Sequence, residues 1–414
     1  DLSEKRCDSM GDKMKESNYK KLVYNTAIFA IGNFGSKVLT FLIVPLYTYV
    51  LTTAEYGVID LFITSLGMVI PFSTMMVNEA LIRYVLGKEL TPKEAASNCF
   101  AVFLFNVVFL LFLKLGIRGY LYATLLSAAV GTLYILIFSD FFQVVSLKCI
   151  DKNTIRMLLK YSVPLIPNSL MWWIMSAGDK YIINYFLGDG ANGLYSLSSK
   201  VPQIINMIYS LFIQAWQMSA IEVSESKDKT SFYHNVFHVT SFVMGVVTCG
   251  IIMVVKPLYL GIMSASFAEA WKYVPLLSVA TIISCYASYF SVVYTVGAKT
   301  KKVFLTTALG AIVNLGTNLI LVQPFGMQGI AMGTCLGYIA VLIVRVRDMW
   351  VEMGIRFDFK RNILTFIVLF IQSAVVIYFG GVLSVVISCA GILFIALLYR
   401  KEMVTIINKL IKKQ

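Results

Sequence analysis

Three lysines lie inside apolar segments that are long enough to cross a membrane. Lys37 lies within 33–51, NFGSKVLTFLIVPLYTYVL, and Lys180 and Lys200 lie in two later segments. An ammonium group at the centre of a bilayer costs at least ~2.5–3.5 kcal/mol, so such residues face water or a partner rather than lipid. Cations gathered in a hydrated interior attract anions. The three lysines therefore predict a binding site for an anionic substrate.

Uncharged polar residues accompany the lysines. In the segments of Lys37 and Lys200 they recur at spacings of three, four or seven, which places them on one helical face; around Lys180 they cover a broader arc. The indole of Trp172 could stack on a sugar or pack within the bundle, and both interpretations stay open. The predicted substrate-binding set is Lys37, Lys180, Lys200, Asn33, Asn168, Trp172, Gln203, Asn206 and Gln214.

Acidic residues are rarer in these segments. Asp60, Glu79 and Asp179 are the candidates, and we predict that they couple transport to a proton or a sodium ion, because acids in a pocket can change their protonation state. The alternative is structural: polar side chains form hydrogen bonds between helices, and Glu79 with Arg83 has the i, i+4 spacing of an ion pair. We expect that alternative to hold more often for the neutral residues than for the lysines.

Motifs for metal binding or covalent chemistry are weak. His234 and His238 are spaced i, i+4, but Asn235 stands where a metalloprotease would need glutamate, and the sequence indicates no third ligand. The sequence also contains no phosphate-binding P-loop. We predict no metal, no cofactor beyond the coupling ion, and no enzyme activity.

The elements that position these residues follow from composition. The 414 residues are 58% hydrophobic and only 14% charged, whereas soluble domains carry about 25% charged residues. Runs of this length and apolarity predict an all-α polytopic membrane protein of about twelve helices. The predicted spans are 22–50, 57–85, 96–114, 118–139, 157–187, 190–222, 231–255, 273–297, 303–322, 327–344, 362–380 and 382–399.

The basic residues alternate between loops. Most of the 35 lysines and arginines lie at the two ends and in every second loop, including a loop after 344 that would hold Arg345 and Arg347. By the positive-inside rule, both termini are cytoplasmic. The net charge of +13 is therefore mainly a signature of topology, and it does not indicate nucleic-acid binding.

Two stretches of the chain repeat earlier ones. Tyr49, Leu51, Gly57 and Leu61 match Tyr185, Leu187, Gly193 and Leu197 at one constant offset, and 116–126 matches 326–336 at a larger one. The difference is about two spans, which predicts a 14-helix plan of two six-helix lobes and two extra helices, with two helices missing from the first lobe. The predicted divisions are 1–21 (cytoplasmic segment), 22–139 (first lobe), 140–160 (linker), 161–348 (second lobe), 362–399 (two added spans) and 400–414 (cytoplasmic tail).

Segments 25–57, 161–188 and 193–217 resemble the polysaccharide biosynthesis family of bacterial flippases, within the multidrug/oligosaccharidyl-lipid/polysaccharide exporter superfamily. The resemblance implies fourteen helices, alternating access around a cationic cavity, and a bacterial plasma-membrane location. It also implies a polyprenyl-diphosphate-linked oligosaccharide as cargo, moved from the cytoplasmic to the outer leaflet for surface polysaccharide such as O-antigen or capsule. Membrane lipid, a polysaccharide polymerase and glycosyltransferases would be its partners.

The expected mechanism places the diphosphate on the lysines, the glycan among the neutral polar residues, and the prenyl chain in lipid. Three other functions stay open: a multidrug–cation antiporter, a peptidoglycan-precursor flippase, and a membrane enzyme such as a glycan polymerase. An antiporter would need a cavity dominated by acids and aromatic rings. An enzyme would need a large external loop, and the longest outward loop predicted here is only about 256–272.

Overall fold

The computed structural model describes residues 44–45, 47–74 and 165–404, apart from short gaps at 225, 227, 298, 355–356, 358 and 380. Several predictions lie outside these residues. They are the substrate residues Asn33 and Lys37, the acid Glu79, most of the first span, the spans 96–114 and 118–139, the linker 140–160 and most of the tail. The described residues up to Gly67 and from Tyr161 onward form one compact unit.

The described part of the chain is helical. Six of its helical segments, from Pro202 onward, are long and apolar enough to cross a membrane, so the all-α polytopic class is confirmed. The helices are α1 (Thr53–Thr74), α2 (Leu165–Leu187), α3 (Asp189–Ser198), α4 (Pro202–Val223), α5 (Lys229–Ile262), a 3₁₀-helix (Ala265–Tyr273), α6 (Val274–Val296), α7 (Thr300–Met353), α8 (Lys360–Tyr378) and α9 (Gly381–Leu398).

Helix α7 is a hairpin rather than one rod. Its 54 residues would extend about 80 Å if straight, far more than a bilayer is thick. Pro324 and Gly326 interrupt it, and the backbone of Gly326 adopts a φ of 56° that favours glycine. The two halves then run back along each other, since Gly337 lies against Asn314 and Gly333 against Asn318. This matches the predicted spans 303–322 and 327–344.

The predicted span 190–222 is wrong as a single helix. It consists of α3 and α4, with a turn at Ser199–Val201 between them and Pro202 at the first position of α4. Proline has no N–H to donate and fits best in the first turn of a helix, so α4 begins there. Lys200 consequently lies in the turn and not on a face of a continuous helix.

Two glycines bring α1 and α3 into backbone contact. A Cβ on Gly193 would overlap the carbonyl oxygen of Thr53, and a Cβ on Gly57 would overlap the carbonyl oxygen of Asp189. Gly57 and Gly193 are matching positions of the sequence repeat, and so are Thr53 and Asp189. The contact therefore has the reciprocity that a local two-fold axis produces. Asn192 adds a hydrogen bond of 2.9 Å to the carbonyl oxygen of Gly57.

Helices α8 and α9 are joined to α5 by buried amides. Gln372 donates to the carbonyl oxygen of Cys249 at 2.8 Å and to the hydroxyl of Ser388 at 2.9 Å. Asn362 donates to the hydroxyl of Ser241 at 2.8 Å. Because lipid tails are as apolar as leucine, such hydrogen bonds and close packing hold membrane helices together.

We predict that Gly193→Val destabilises the protein by about 1–3 kcal/mol, because the new side chain must push the start of α1 away. Thermal unfolding of the purified chain in detergent measures this change. Gly190→Ala, on the same helix, is the control, because its Cβ would lie 3.4 Å from the Thr53 hydroxyl, an ordinary contact. Equal melting temperatures for the two variants would contradict the close approach of α1 and α3.

Candidate functional site

Two of the predicted lysines meet at one acid. The Nζ atom of Lys180 lies 2.5 Å from Oδ2 of Asp60, and the Nζ atom of Lys200 lies 3.0 Å from Oδ1 of the same carboxylate. Asp60 comes from α1, Lys180 from α2 and Lys200 from the turn before α4. Lys180 also donates to the Thr64 hydroxyl at 3.0 Å. We call Asp60, Lys180 and Lys200 the ionic centre.

The ionic centre carries a surplus positive charge, since two ammonium groups face one carboxylate. Its members differ in access: the side chain of Asp60 is 6% exposed and that of Lys180 10%, whereas that of Lys200 is 25% exposed. An anion can therefore reach Lys200 first. Each ammonium has three N–H donors, so Asp60 and Thr64 do not use all of them.

Neighbouring contacts fix α1 against α2 beside the ionic centre. The indole N–H of Trp173 donates to the carbonyl oxygen of Thr64 at 3.0 Å. The hydroxyls of Ser65 and Tyr181 lie 2.6 Å apart. Together with the ion pair, these contacts hold Asp60 within reach of Lys180.

Asp179, the residue before Lys180, has a different environment. Its carboxylate is buried and accepts hydrogen bonds from Asn318 at 2.7 Å, Thr334 at 2.6 Å and Tyr195 at 3.1 Å. Those three donors are all neutral. A buried carboxylate held by neutral groups is suited to take up a proton or a small cation, which would remove its charge.

Two further predicted residues on α2 contact α7. The side-chain oxygen of Asn168 lies 2.7 Å from the hydroxyl of Thr307, and the indole of Trp172 stacks on Tyr338 with ring centres 5.6 Å apart. Asn168 lies twelve residues before Lys180, so about 18 Å along the helix separates it from the ionic centre. The structure thus places these two residues well away from the lysines.

The predicted residues of α4 follow Lys200 along the chain. Gln203 and Asn206 are exposed, and Gln214 is half-buried. The side-chain oxygen of Gln214 has no hydrogen-bond partner among the described residues. Their common stripe begins at Gln203, because Lys200 precedes the helix.

Arg345 is a buried cation that the sequence did not reveal. It was assigned to a cytoplasmic loop, and that assignment is wrong: it lies inside α7 with no exposed surface. Its guanidinium donates to the hydroxyls of Thr306 and Thr307 at 3.0 and 2.8 Å and to the carbonyl oxygen of Ala287 at 2.6 Å. It also lies 5.9 Å from the ring centre of Trp172. The missed signal is Gly354, the glycine that ends the helix after Met353, nine residues beyond the predicted boundary at 344.

The histidine pair of α5 does not change the metal prediction. Nε2 of His234 lies 3.1 Å from Nε2 of His238, and the first ring stacks on Phe357. Among the described residues, no group of three histidine, cysteine or acidic side chains is placed to bind a metal ion.

We predict that Arg345→Ala lowers the free energy of unfolding by about 2–5 kcal/mol, because it removes several buried hydrogen bonds and leaves a cavity. Thermal unfolding in detergent is the measurement. Arg347→Ala is the matched control, since Arg347 lies on the exposed side of the same helix. If both variants melted together, Arg345 would not hold α6 and the two halves of α7 in place.

The chain is similar to a protein family and to two known proteins. Residues 93–217 match the family model described as polysaccharide biosynthesis protein. An uncharacterized membrane protein of Methanocaldococcus jannaschii is 23% identical over 324 residues, which cover 75% of this chain and 76% of the relative. The lipid II flippase MurJ in an inward closed conformation aligns with 91% of this chain at 13% identity and a TM-score of 0.44. The family match includes Lys180, Lys200 and the predicted polar residues Gln203, Asn206 and Gln214, and over these residues the chain resembles the polysaccharide biosynthesis proteins.

Proposed function

We propose that the protein is a flippase for a polyprenyl-diphosphate-linked oligosaccharide. The observation that carries the proposal is the ionic centre, where two lysines from separate segments lie within 3.0 Å of one carboxylate. Such a centre keeps a surplus positive charge inside a membrane protein, and a diphosphate is the anion that a lipid carrier would bring to it. The match to the polysaccharide biosynthesis family supports a glycan as the group attached.

In this proposal the diphosphate binds Lys180 and Lys200, and Lys37 joins them from the first span. The glycan extends along α2 and α4 toward Asn33, Asn168, Trp172, Gln203, Asn206 and Gln214, while the prenyl chain remains in lipid. No covalent bond is made or broken. The positive-inside distribution of charge supports a plasma-membrane orientation with both termini cytoplasmic, so transport would run toward the outer leaflet.

Asp179 is the residue that we propose couples transport to an ion. Asp60 was an equal candidate from the sequence, but two lysines already neutralise it. The hydrogen-bond partners of Asp179 are neutral, so a proton or a sodium ion would change its charge and the strength of its bonds to α3 and α7. Glu79, the third predicted acid, lies outside the described residues.

Transport in vesicles tests the role of the two lysines. We expect Lys180→Gln and Lys200→Gln each to slow movement of a fluorescent polyprenyl-diphosphate oligosaccharide across proteoliposomes by about tenfold or more, because a charge-assisted hydrogen bond contributes ~1.5–3 kcal/mol. Lectin binding to the outer leaflet reports the movement. Lys302→Gln is the control, since Lys302 pairs with Asp348 at 4.0 Å outside the ionic centre.

The same vesicles separate the alternatives. Transport of a lipid-linked peptidoglycan precursor at an equal or higher rate would favour that cargo. Uptake of organic cations with no movement of either lipid would favour an antiporter. Wild-type rates in both glutamine variants would contradict the role of the two lysines.

The second prediction concerns Asp179. We expect Asp179→Asn to abolish the acceleration that an imposed proton or sodium gradient produces, because the amide has the size of the acid but carries no charge for a proton or sodium ion to neutralise. Slow transport without a gradient should remain. An unchanged response of the variant to both gradients would place the coupling site elsewhere.

A further inference from the structure

Asp60 occupies the ionic centre in the way that a phosphate would. Its two carboxylate oxygens each take one lysine, Oδ2 that of Lys180 and Oδ1 that of Lys200. A phosphodiester also presents two such oxygens on one charged centre, and it carries one negative charge like the carboxylate. A diphosphate diester presents more oxygens and about twice the charge.

An anion that takes the position of the carboxylate between the two lysines must displace Asp60. The carboxylate is buried on α1, whereas the lysines lie on α2 and in the turn before α4. Asp60 therefore cannot move into water together with a lysine on a shared helix. A ligand with a single negative charge attracts the two lysines no more strongly than the carboxylate of Asp60 already does. A ligand with two negative charges gives about twice as much, and it also uses the N–H donors that Asp60 leaves over.

The competitors of the cargo are abundant. Ordinary anionic membrane lipids carry phosphodiester headgroups, and a protein embedded among them needs an element that disfavours them as well as one that attracts its cargo. The exposed portion of Lys200 would otherwise be open to these headgroups.

We propose that Asp60 is the specificity-determining residue of the ionic centre, which excludes singly charged phosphodiester lipids and yields only to a diphosphate. This inference rests on the proposed function, because it assumes that Lys180 and Lys200 bind the phosphate groups of the cargo. It assigns to Asp60 a role in selecting the ligand rather than in coupling transport to an ion. It also predicts that a phosphate headgroup without a lipid chain is sufficient for binding, since both lysines interact only with its negative charges.

The test compares two ligands on the full chain in detergent. Isothermal titration gives the affinities for farnesyl diphosphate and for dioctanoyl phosphatidylglycerol, and inorganic pyrophosphate shows whether the headgroup alone binds. We expect the wild-type protein to prefer farnesyl diphosphate by at least about tenfold. We expect Asp60→Asn to bind phosphatidylglycerol at least about tenfold more tightly than the wild-type protein does, because the lipid no longer has to displace the carboxylate. A structural role alone would not tighten the binding of this lipid.

Two variants serve as controls. Asp60→Glu keeps the charge and should keep the weak binding of phosphatidylglycerol. Glu269→Gln removes an acid that pairs with Lys272 at 2.9 Å outside the ionic centre, and it should leave both affinities unchanged. If Asp60→Asn does not fold, the wild-type ratio still decides, because equal affinities for the two ligands in the wild-type protein overturn the inference.

The outcomes separate this inference from the proposed function. If farnesyl diphosphate binds the wild-type protein, Lys180→Gln and Lys200→Gln weaken it, and Asp60→Asn binds phosphatidylglycerol no more tightly than the wild-type protein does, then only the role of Asp60 is overturned. If farnesyl diphosphate and pyrophosphate fail to bind the wild-type protein, both the diphosphate cargo and the selection by Asp60 are overturned.

Discussion

A buried carboxylate in a membrane protein needs cations or hydrogen-bond donors to keep its charge, and Asp60 contacts two cations. This one requirement brings α1, α2 and the turn before α4 to the same point, although Asp60 is 120 and 140 residues away from Lys180 and Lys200 along the chain. Removing either lysine would leave part of the charge unpaired, at a cost that is several times that of a surface ion pair. The close glycine contact between α1 and α3 permits the approach, and the hydrogen bonds from Trp173 and Tyr181 support it.

The buried polar residues fall into two groups with different consequences. Arg345 and Gln372 donate hydrogen bonds to backbone carbonyl and hydroxyl oxygens of neighbouring helices, which fixes the packing of α5 to α9. The ionic centre contains two ammonium groups and one carboxylate, and the side chain of Lys200 is 25% exposed. A charge inside a membrane is costly unless a ligand, an ion or hydrogen bonds stabilise it. The chain therefore separates a buried, hydrogen-bonded structural region, which includes the Arg345 guanidinium, from a charged region in which Lys200 is accessible to cargo.

Much of the fold could be predicted from the sequence, because long apolar runs determine membrane helices almost by length alone. The predicted spans 273–297, 362–380 and 382–399 differ from α6, α8 and α9 by no more than two residues at either end. The errors occur where local signals compete. A turn before Pro202 divided a span whose apolar pattern continued through it, and the charges of Arg345 and Arg347 suggested a loop where the helix continues to Met353.

The candidate site could be predicted only in part. The lysines were recognisable because a cation in an apolar run is costly wherever it lies. Their partner was not, because no local pattern indicates that Asp60 should meet Lys180 and Lys200 rather than stand apart as an ion-coupling acid. The surroundings of Asp179 and Arg345 are likewise set by contacts between distant helices. Such contacts follow from three-dimensional packing, which a single sequence with helical periodicity does not specify.

We propose that the ionic centre binds the diphosphate of a lipid-linked glycan. An electron cryomicroscopy map of the full chain, in nanodiscs that contain a polyprenyl-diphosphate oligosaccharide, tests this binding directly. We expect phosphate density within hydrogen-bonding distance of the Nζ atoms of Lys180 and Lys200, with the carboxylate of Asp60 displaced from both. Phosphate density elsewhere, beside an intact contact of Asp60 with the two lysines, would show that the ionic centre does not bind the diphosphate.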